Sequence, residues 1–407
     1  MSRTVPGLLC LALVLNFAHP SVVFAHHSAV AFDRENSVTV SGEVTRFVWR
    51  NPHMAINMEV TDESGQQVLW KIEGPGTTVL RKQGFNRQSI HQGDRITVVV
   101  NPMKTGSPGG LLEAITLANG ETHALTAGDY QPGSGAAVRR VIPSLVKWVP
   151  PPAGETWQER EKKTRPARLP LVGNDPRQTG PGALDPTNLA KPRPKPPFDL
   201  TGTWAFRGEE EYRANYGSYE FKPHPKWTEK GQQIYDEYLS YARAGRRYKE
   251  PTAQCYPAGM PRLMNRYGSL MMMQYPTAIF MVSRLNNEYR AIWLDGRDRE
   301  PEVTRDPNWN GESIGHWEGN TLVVESIGFT DENHLIQQGV FTGDQLKIIE
   351  RISLINDGNT MVMEYVMTDP EYWVGEWRHV KFRDRILNAD VREATCLPAD
   401  NALLPGF

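Results

Sequence analysis

Alternating apolar and polar positions dominate this chain, and helix-period stretches are few. In SVTVSGEVTRFVW, Val38, Val40, Gly42 and Val44 alternate with polar residues, which predicts a strand bent at the glycine. HMAINMEVTDESGQQVLWKIE predicts two strands around a turn at Asp62–Gly65. TTVLRKQGF predicts a short helix stopped by Gly84, and HQGDRITVVVNP and GLLEAITLANGE predict two further strands. Three strands, a short helix and two strands is the order of an OB-type barrel, expected here over residues 26–125.

The pattern then breaks. Residues 126–197 are rich in Pro, Gly and charge, as in KWVPPPAGETW and KPRPKPPF. Proline fixes φ and removes a donor, so this reads as an extended linker, with an arm wrapped over a domain as the alternative for parts of it. From residue 198 to 407 alternation returns. WTEKGQQIYDEYLSYARAG predicts one helix, with Thr228 as N-cap, Ile234, Tyr238 and Tyr241 on one face, and Gly245 at its end. Strands follow: AIFMVSRL, EYRAIWLDG, GHWEGNTLVVESIGF as a hairpin, DQLKIIERISLI, NTMVMEYVMTD and EWRHVKFRD. The expected fold class is therefore mainly β, an OB-like small barrel joined by a Pro-rich linker to a larger antiparallel β-barrel with one helix. Gly202–Trp204, a Gly-x-Trp ahead of this meander, resembles the opening of lipocalin-type barrels.

The N-terminal segment changes the compartment. Arg3 followed by VPGLLCLALVLNFA reads as a secretory signal over residues 1–25, too short and broken to span a bilayer. Val23 and Ala25 favour a cut that makes His26 the new N-terminus; a second site follows Ala31. The expected location is periplasmic or secreted, with no stable membrane anchor after cleavage. With 45 basic and 47 acidic residues the net charge is −2, which offers no basic excess for nucleic acid. Cys10 leaves with the signal, so Cys255 and Cys396 are an even pair in an oxidising compartment and are expected to form a disulfide.

AHHS at 25–28, VTVSGEVTRFVWRNPH and QGDRITV resemble the bacterial exported proteins grouped as a domain of unknown function, family 6152, across residues 25–120. CYPAGMPR, IGHWEGNTLVVESIGF and LKIIERISLINDGNTMVMEYVMTDPEYW resemble a recurrent, uncharacterised bacterial C-terminal type. The resemblance implies the two-part plan and export. It implies no activity.

Candidate chemistry comes from the residues themselves. In LKIIERISL, Ile348, Glu350, Ile352 and Leu354 share one face, so the better core face carries a carboxylate. Such a group is either paired or raised in pKa. His316 and Glu318 share a face in IGHWEG, and Glu325, Asp331 and His334 follow in sequence. Arg262 in CYPAGMPR suits a carboxylate, including one of the protein's own such as Glu350. Trp293 and Trp317 offer a core or a ring platform. Met272 alternates away from Met271 and Met273, which favours packing over copper(I). His26, with His27 or His53, could surround copper(II) with nitrogen ligands, and a His pair in a frayed terminus is the bland alternative.

Three functional readings follow. The leading one is a small, partly apolar organic ligand bound in the C-terminal barrel, with Arg262, His316 and Glu350 as polar contacts. The second is an acid–base enzyme, an isomerase, lyase or hydrolase, with His316 and Glu350 catalytic in the same cavity. The third is a copper-binding module at the mature N-terminus. No phosphate loop, nucleophile elbow, His-Glu-x-x-His or dinucleotide fingerprint stands out.

Overall fold

The computed structural model describes residues 31–49, 53–62, 64–81, 83–125, 152–164, 180–207, 220–246, 248–266, 268–303 and 305–396. The signal segment, His26 and His27 lie outside them.

The N-terminal region holds β1 (Val38–Val48), β2 (Ala55–Thr61), β3 (Gln67–Glu73), α1 (Thr77–Arg81), β4 (Arg95–Pro102), β5 (Gly109–Thr116) and β6 (Thr122–Ala124). β1 pairs antiparallel with both β2 and β4, β2 with β3, and β4 with β5, while β3 runs parallel to β5. Those pairings close a five-stranded barrel in the expected order. Alternation supplies its core: Ile56 and Met58 on β2 meet Val98 and Val100 on β4, all fully buried. The irregularity in β1 is a register shift between Val44 and Arg46, and Gly42 is a point of close approach. A Cβ there would collide with the Glu59 carbonyl, so the strand can curl across the barrel only without one.

Between the barrels are α2 (Trp157–Thr164) and α3 (Pro186–Leu189). Residues 180–197 form an arm rather than a free linker. Thr277 Oγ1 donates to the Ala183 carbonyl at 2.6 Å, and Asn188 Nδ2 to Asp295 Oδ2 at 3.1 Å.

The C-terminal region holds β7 (Gly202–Phe206), β8 (Lys226–Trp227), α4 (Glu229–Arg243), β9 (Leu270–Gln274), β10 (Ala278–Ser283), β11 (Tyr289–Trp293), β12 (Glu312–Glu318), β13 (Thr321–Ile327), β14 (Leu335–Gln337), β15 (Val340–Phe341), β16 (Lys347–Ile355), β17 (Thr360–Thr368), β18 (Trp373–Val374) and β19 (Trp377–Ile386). Nine of these strands close a second barrel, in the order β7, β9, β10, β11, β12, β13, β16, β17, β19. β8 pairs with β18 and β14 with β15 outside it. α4 is capped as expected: Thr228 Oγ1 accepts from Gly231 N at 3.1 Å, and Gly245 follows with φ +64°.

One pair departs from an antiparallel meander. β11 and β12 run parallel, paired at Ile292–Ser313 and Trp293–Ile314. Parallel neighbours need a crossover, which residues 294–311 provide; with Pro301 and Pro307 they are unsuited to a hairpin. This is the shortest ladder among the described strands of the barrel.

Trp204 is fully buried in β7, its indole N–H donating to the Leu200 carbonyl at 2.8 Å. The Arg385 guanidinium from the last strand lies 4.3 Å from its ring centre. The inner wall is rich in methionine: Met272, Met281, Met361, Met363 and Met367 are all buried. Met272 faces inward and its neighbours Met271 and Met273 are half-buried, as alternation requires.

Cys255 and Cys396 form a disulfide, with 5.7 Å between their Cα atoms. Beside it, Asn287 and Ala394 exchange two hydrogen bonds of 2.8 Å. The bridge fastens the C-terminal segment to the loop that begins at Cys255, and the Asn287 bonds tie it to the β10–β11 turn. Replacing both cysteines with serine should lower stability by about 2–5 kcal/mol. Urea unfolding reads this directly, and an unchanged midpoint would contradict it.

Candidate functional site

The barrel interior carries a buried ionic cluster where four strands meet. Glu350 on β16 is fully buried, as the two-residue period requires. Its partner is Arg290 on β11, also buried. Arg290 Nη1 donates to Glu350 Oε1 at 3.1 Å, and Nη2 pairs closely with Oε2. Arg290 Nη2 also donates to Ser313 Oγ on β12 and Ser326 Oγ on β13, each at 3.1 Å. The two hydroxyls lie 2.8 Å apart. Every charge here has a bidentate or hydroxyl partner, which buried ions require.

A second polar centre caps one end of the barrel. Its scaffold is CYPAGMPR, which runs into a buried 3-10 turn, Arg262–Asn265. Arg262 Nη2 donates to both oxygens of Glu250 at 3.0 Å. Glu288, two residues before Arg290, accepts from Ala258 N and Gly259 N at 2.8 Å each. Gly259 has φ +68°, and a Cβ there would lie 2.5 Å from the Trp309 carbonyl oxygen, so the loop can approach only with glycine. Arg383 on β19 fastens the far side of the turn, donating to the carbonyls of Leu263, Met264, Arg266 and Gly268. Asn265 is buried with neither amide atom hydrogen-bonded. It lies three residues after Arg262, on the same face of the 3-10 turn.

Burial sets the charge states. It pushes the Glu288 carboxyl up to about 7, against the two loop N–H groups that favour the anion. It pushes the His334 imidazole down to about 3, helped by the charge of Arg262. His334 Nδ1 lies 2.6 Å from Thr342 Oγ1. Its Nε2 makes no hydrogen bond, although the Trp309 and Met260 carbonyls lie near enough to favour a protonated ring.

The structure distributes the residues singled out by sequence. Glu350 is in the interior, and Arg262 and His334 are in the capping centre. Arg262 is paired with Glu250, not Glu350. His316 is on the outer face of β12, its side chain 64% exposed and 3.0 Å from Glu318 Oε1, while Glu318 Oε2 pairs with Arg351. It does not meet Glu350. Glu325 is on the outer face of β13 with Arg299 and Lys347. Trp293 is outside too, under the Arg297 guanidinium, 4.1 Å from the ring centre. Trp317 packs edge-on against Phe198 with centroids 4.9 Å apart, and Asp331 is exposed. His53 is half-buried, its Nδ1 3.2 Å from the Gly74 carbonyl and 3.3 Å from Glu73 Oε1. Among the described residues no group of three or more His, Cys, Asp or Glu is placed to hold a metal.

Arg290, Ser313, Ser326, Glu288 and Glu250 were not singled out from sequence. Arg290 had the same signal as Glu350: in EYRAIW it shares the two-residue period with Ile292. Ser326 likewise continues the inward face of Leu322 and Val324.

The fold and these centres define a mainly β protein of two closed barrels, the larger carrying buried ionic groups. Residues 14–113 match a family of unknown function, DUF6152; the match takes in β1–β4 and most of β5 and leaves the nine-stranded barrel outside. No curated protein matches the chain.

The two perturbed groups act on stability in opposite directions. His334 is neutral in the folded protein but charged when unfolded below about pH 6.5, so it removes stability as pH falls from there toward about 3. Glu288 takes up its proton more readily when folded, so it removes stability as pH rises from about 4.5 through about 7. Relative to Glu288→Gln, the wild-type protein should lose about 2–3 kcal/mol between pH ~5 and pH ~8. Urea unfolding of both proteins across that range measures it; a difference independent of pH would contradict the assignment.

Proposed function

We propose that the nine-stranded barrel binds a small, partly apolar organic molecule in its interior. The observation that carries this reading is the composition of the inner wall. Five buried methionines share it with few polar groups: the cluster Arg290, Ser313, Ser326 and Glu350, and Lys381 and Arg383 on β19. Methionine is unbranched and polarizable, so such a wall can repack around different shapes. A small set of polar groups on an apolar lining fixes ligand orientation. A barrel of about eight strands is at the size where side chains fill the interior or share it with one small ligand, and this one has nine.

The exposed His316–Glu318–Arg351 cluster lies outside that wall. The polar contacts of the ligand are therefore Arg290 and Glu350 with the two serines, and Arg262 acts through the capping turn. Acid–base catalysis in the same interior has less support, because Glu350 is committed to Arg290 and His316 points away. Export to a periplasmic or extracellular compartment belongs to this reading. It is supported by the disulfide, and no described helix is long and apolar enough to cross a membrane.

The test is equilibrium binding of the uncharged dye N-phenyl-naphthylamine. Saturable, blue-shifted fluorescence is expected from the full chain. Met363→Trp, which adds bulk to the inner wall at an overpacking cost of about 1–3 kcal/mol, should weaken binding at least roughly tenfold. His316→Ala should leave it unchanged. Binding that ignores Met363→Trp, or that depends on His316, would remove the interior as the site.

A further inference from the structure

The short β11–β12 seam is held from three sides. Inside, Arg290 reaches from β11 across the seam to β12, β13 and β16. Along its outer edge, the crossover 294–311 is fastened to β12 and β13: Arg299 donates to the carbonyls of Glu312 at 3.0 Å and Glu325 at 2.8 Å, and Arg305 Nε to Glu312 Oε2 at 3.3 Å. The third hold comes from the other barrel. Arg81, at the end of α1, has a side chain only 2% exposed and lies 2.5 Å from Asp306 Oδ1 and 3.8 Å from Glu300 Oε1 of the crossover. Thr77 Oγ1 donates to Asp306 Oδ2 at 2.9 Å, and Arg87 N to the Val303 carbonyl at 3.2 Å.

We propose that the N-terminal barrel is a clamp: through Arg81 it holds the crossover against β12 and so sets how readily the β11–β12 seam opens. The two-pair ladder is the part of the barrel that local opening disrupts with least loss of backbone pairing. A buried guanidinium between two carboxylates resists withdrawal, because separating them leaves charges in an apolar setting. By contrast, Arg46–Glu332, another ion pair between the barrels, has side chains 61% and 36% exposed and adds little by itself. Insofar as the seam admits ligand, the clamp regulates the interior site; that part rests on the reading above.

Amide exchange by mass spectrometry on the full chain tests the clamp. Arg81→Gln and Asp306→Asn remove it from opposite sides. Each should speed exchange of peptides covering Tyr289–Trp293 and Glu312–Glu318 by roughly tenfold or more. The double variant should go no further than the stronger single, and β16–β17 peptides should keep their wild-type rates. Unchanged seam peptides in both variants, or acceleration shared equally by β16–β17, overturns the clamp. If Arg81→Gln also loosens β4–β5, Asp306→Asn decides, since its site is on the other barrel.

Dye association measured on the same variants separates the two claims. Faster association alongside faster seam exchange is expected. Faster seam exchange with unchanged association overturns the seam as the route inward while the clamp stands. Absence of dye binding in every form would instead sink the interior reading, and seam exchange would still decide the clamp.

Discussion

One guanidinium organises the shortest seam of the larger barrel. Arg290 joins β11 to β12, β13 and β16 through Ser313, Ser326 and Glu350, at the place where the backbone ladder is shortest. Elsewhere long antiparallel ladders such as β16–β17 supply the closure. At the seam two strands run parallel and pair briefly, so side chains must carry what the backbone does not. A buried ion pair adds little net stability over an apolar substitute, but leaving either charge alone in the interior is costly, so the two strands that carry them must meet. Arg290 with Glu350 fixes β11 against the right neighbours, and the crossover then has one place to lie.

This arrangement links the other polar features. Glu288 lies immediately before β11 and Arg290 on it, both buried, so the segment that makes the ionic staple also anchors the CYPAGMPR loop through the Ala258 and Gly259 N–H groups. The loop carries Cys255, whose disulfide reaches Cys396, and its 3-10 turn is fastened by Arg383 from β19. The crossover that follows β11 receives the N-terminal barrel. Position along one short strand thus couples the barrel interior, the cap and the second barrel.

Much of the fold was legible because local rules decide it. Strand alternation, the Thr228 cap, Gly245 and the strand–helix–strand order of the small barrel each depend on residues close in sequence. The inward face of β16 was also legible, since period two leaves no choice once Ile348 and Ile352 are buried. What was not legible needed long-range register. Glu350 and Arg290 each had a period-two signal, but nothing local shows that β11 meets β12 in parallel and so brings the two together. Glu250, which claims Arg262, lies in a stretch with no periodicity. His316 looked like a site residue because His and Glu alternate there, yet the same alternation, with Gly315 facing inward, turns it to solvent.

The central claim is that Arg290 and Glu350 act as one unit, each buried at no net loss only because the other is beside it. A double-mutant cycle with Arg290→Met and Glu350→Leu, read by urea unfolding, tests it most directly. Each single substitution should cost about 3–5 kcal/mol by leaving a buried charge alone. The double substitution should return to within about 1 kcal/mol of wild type, with Ser313 and Ser326 still bonded to each other. Losses that simply add in the double variant would contradict the account, because the two charges would then be acting independently.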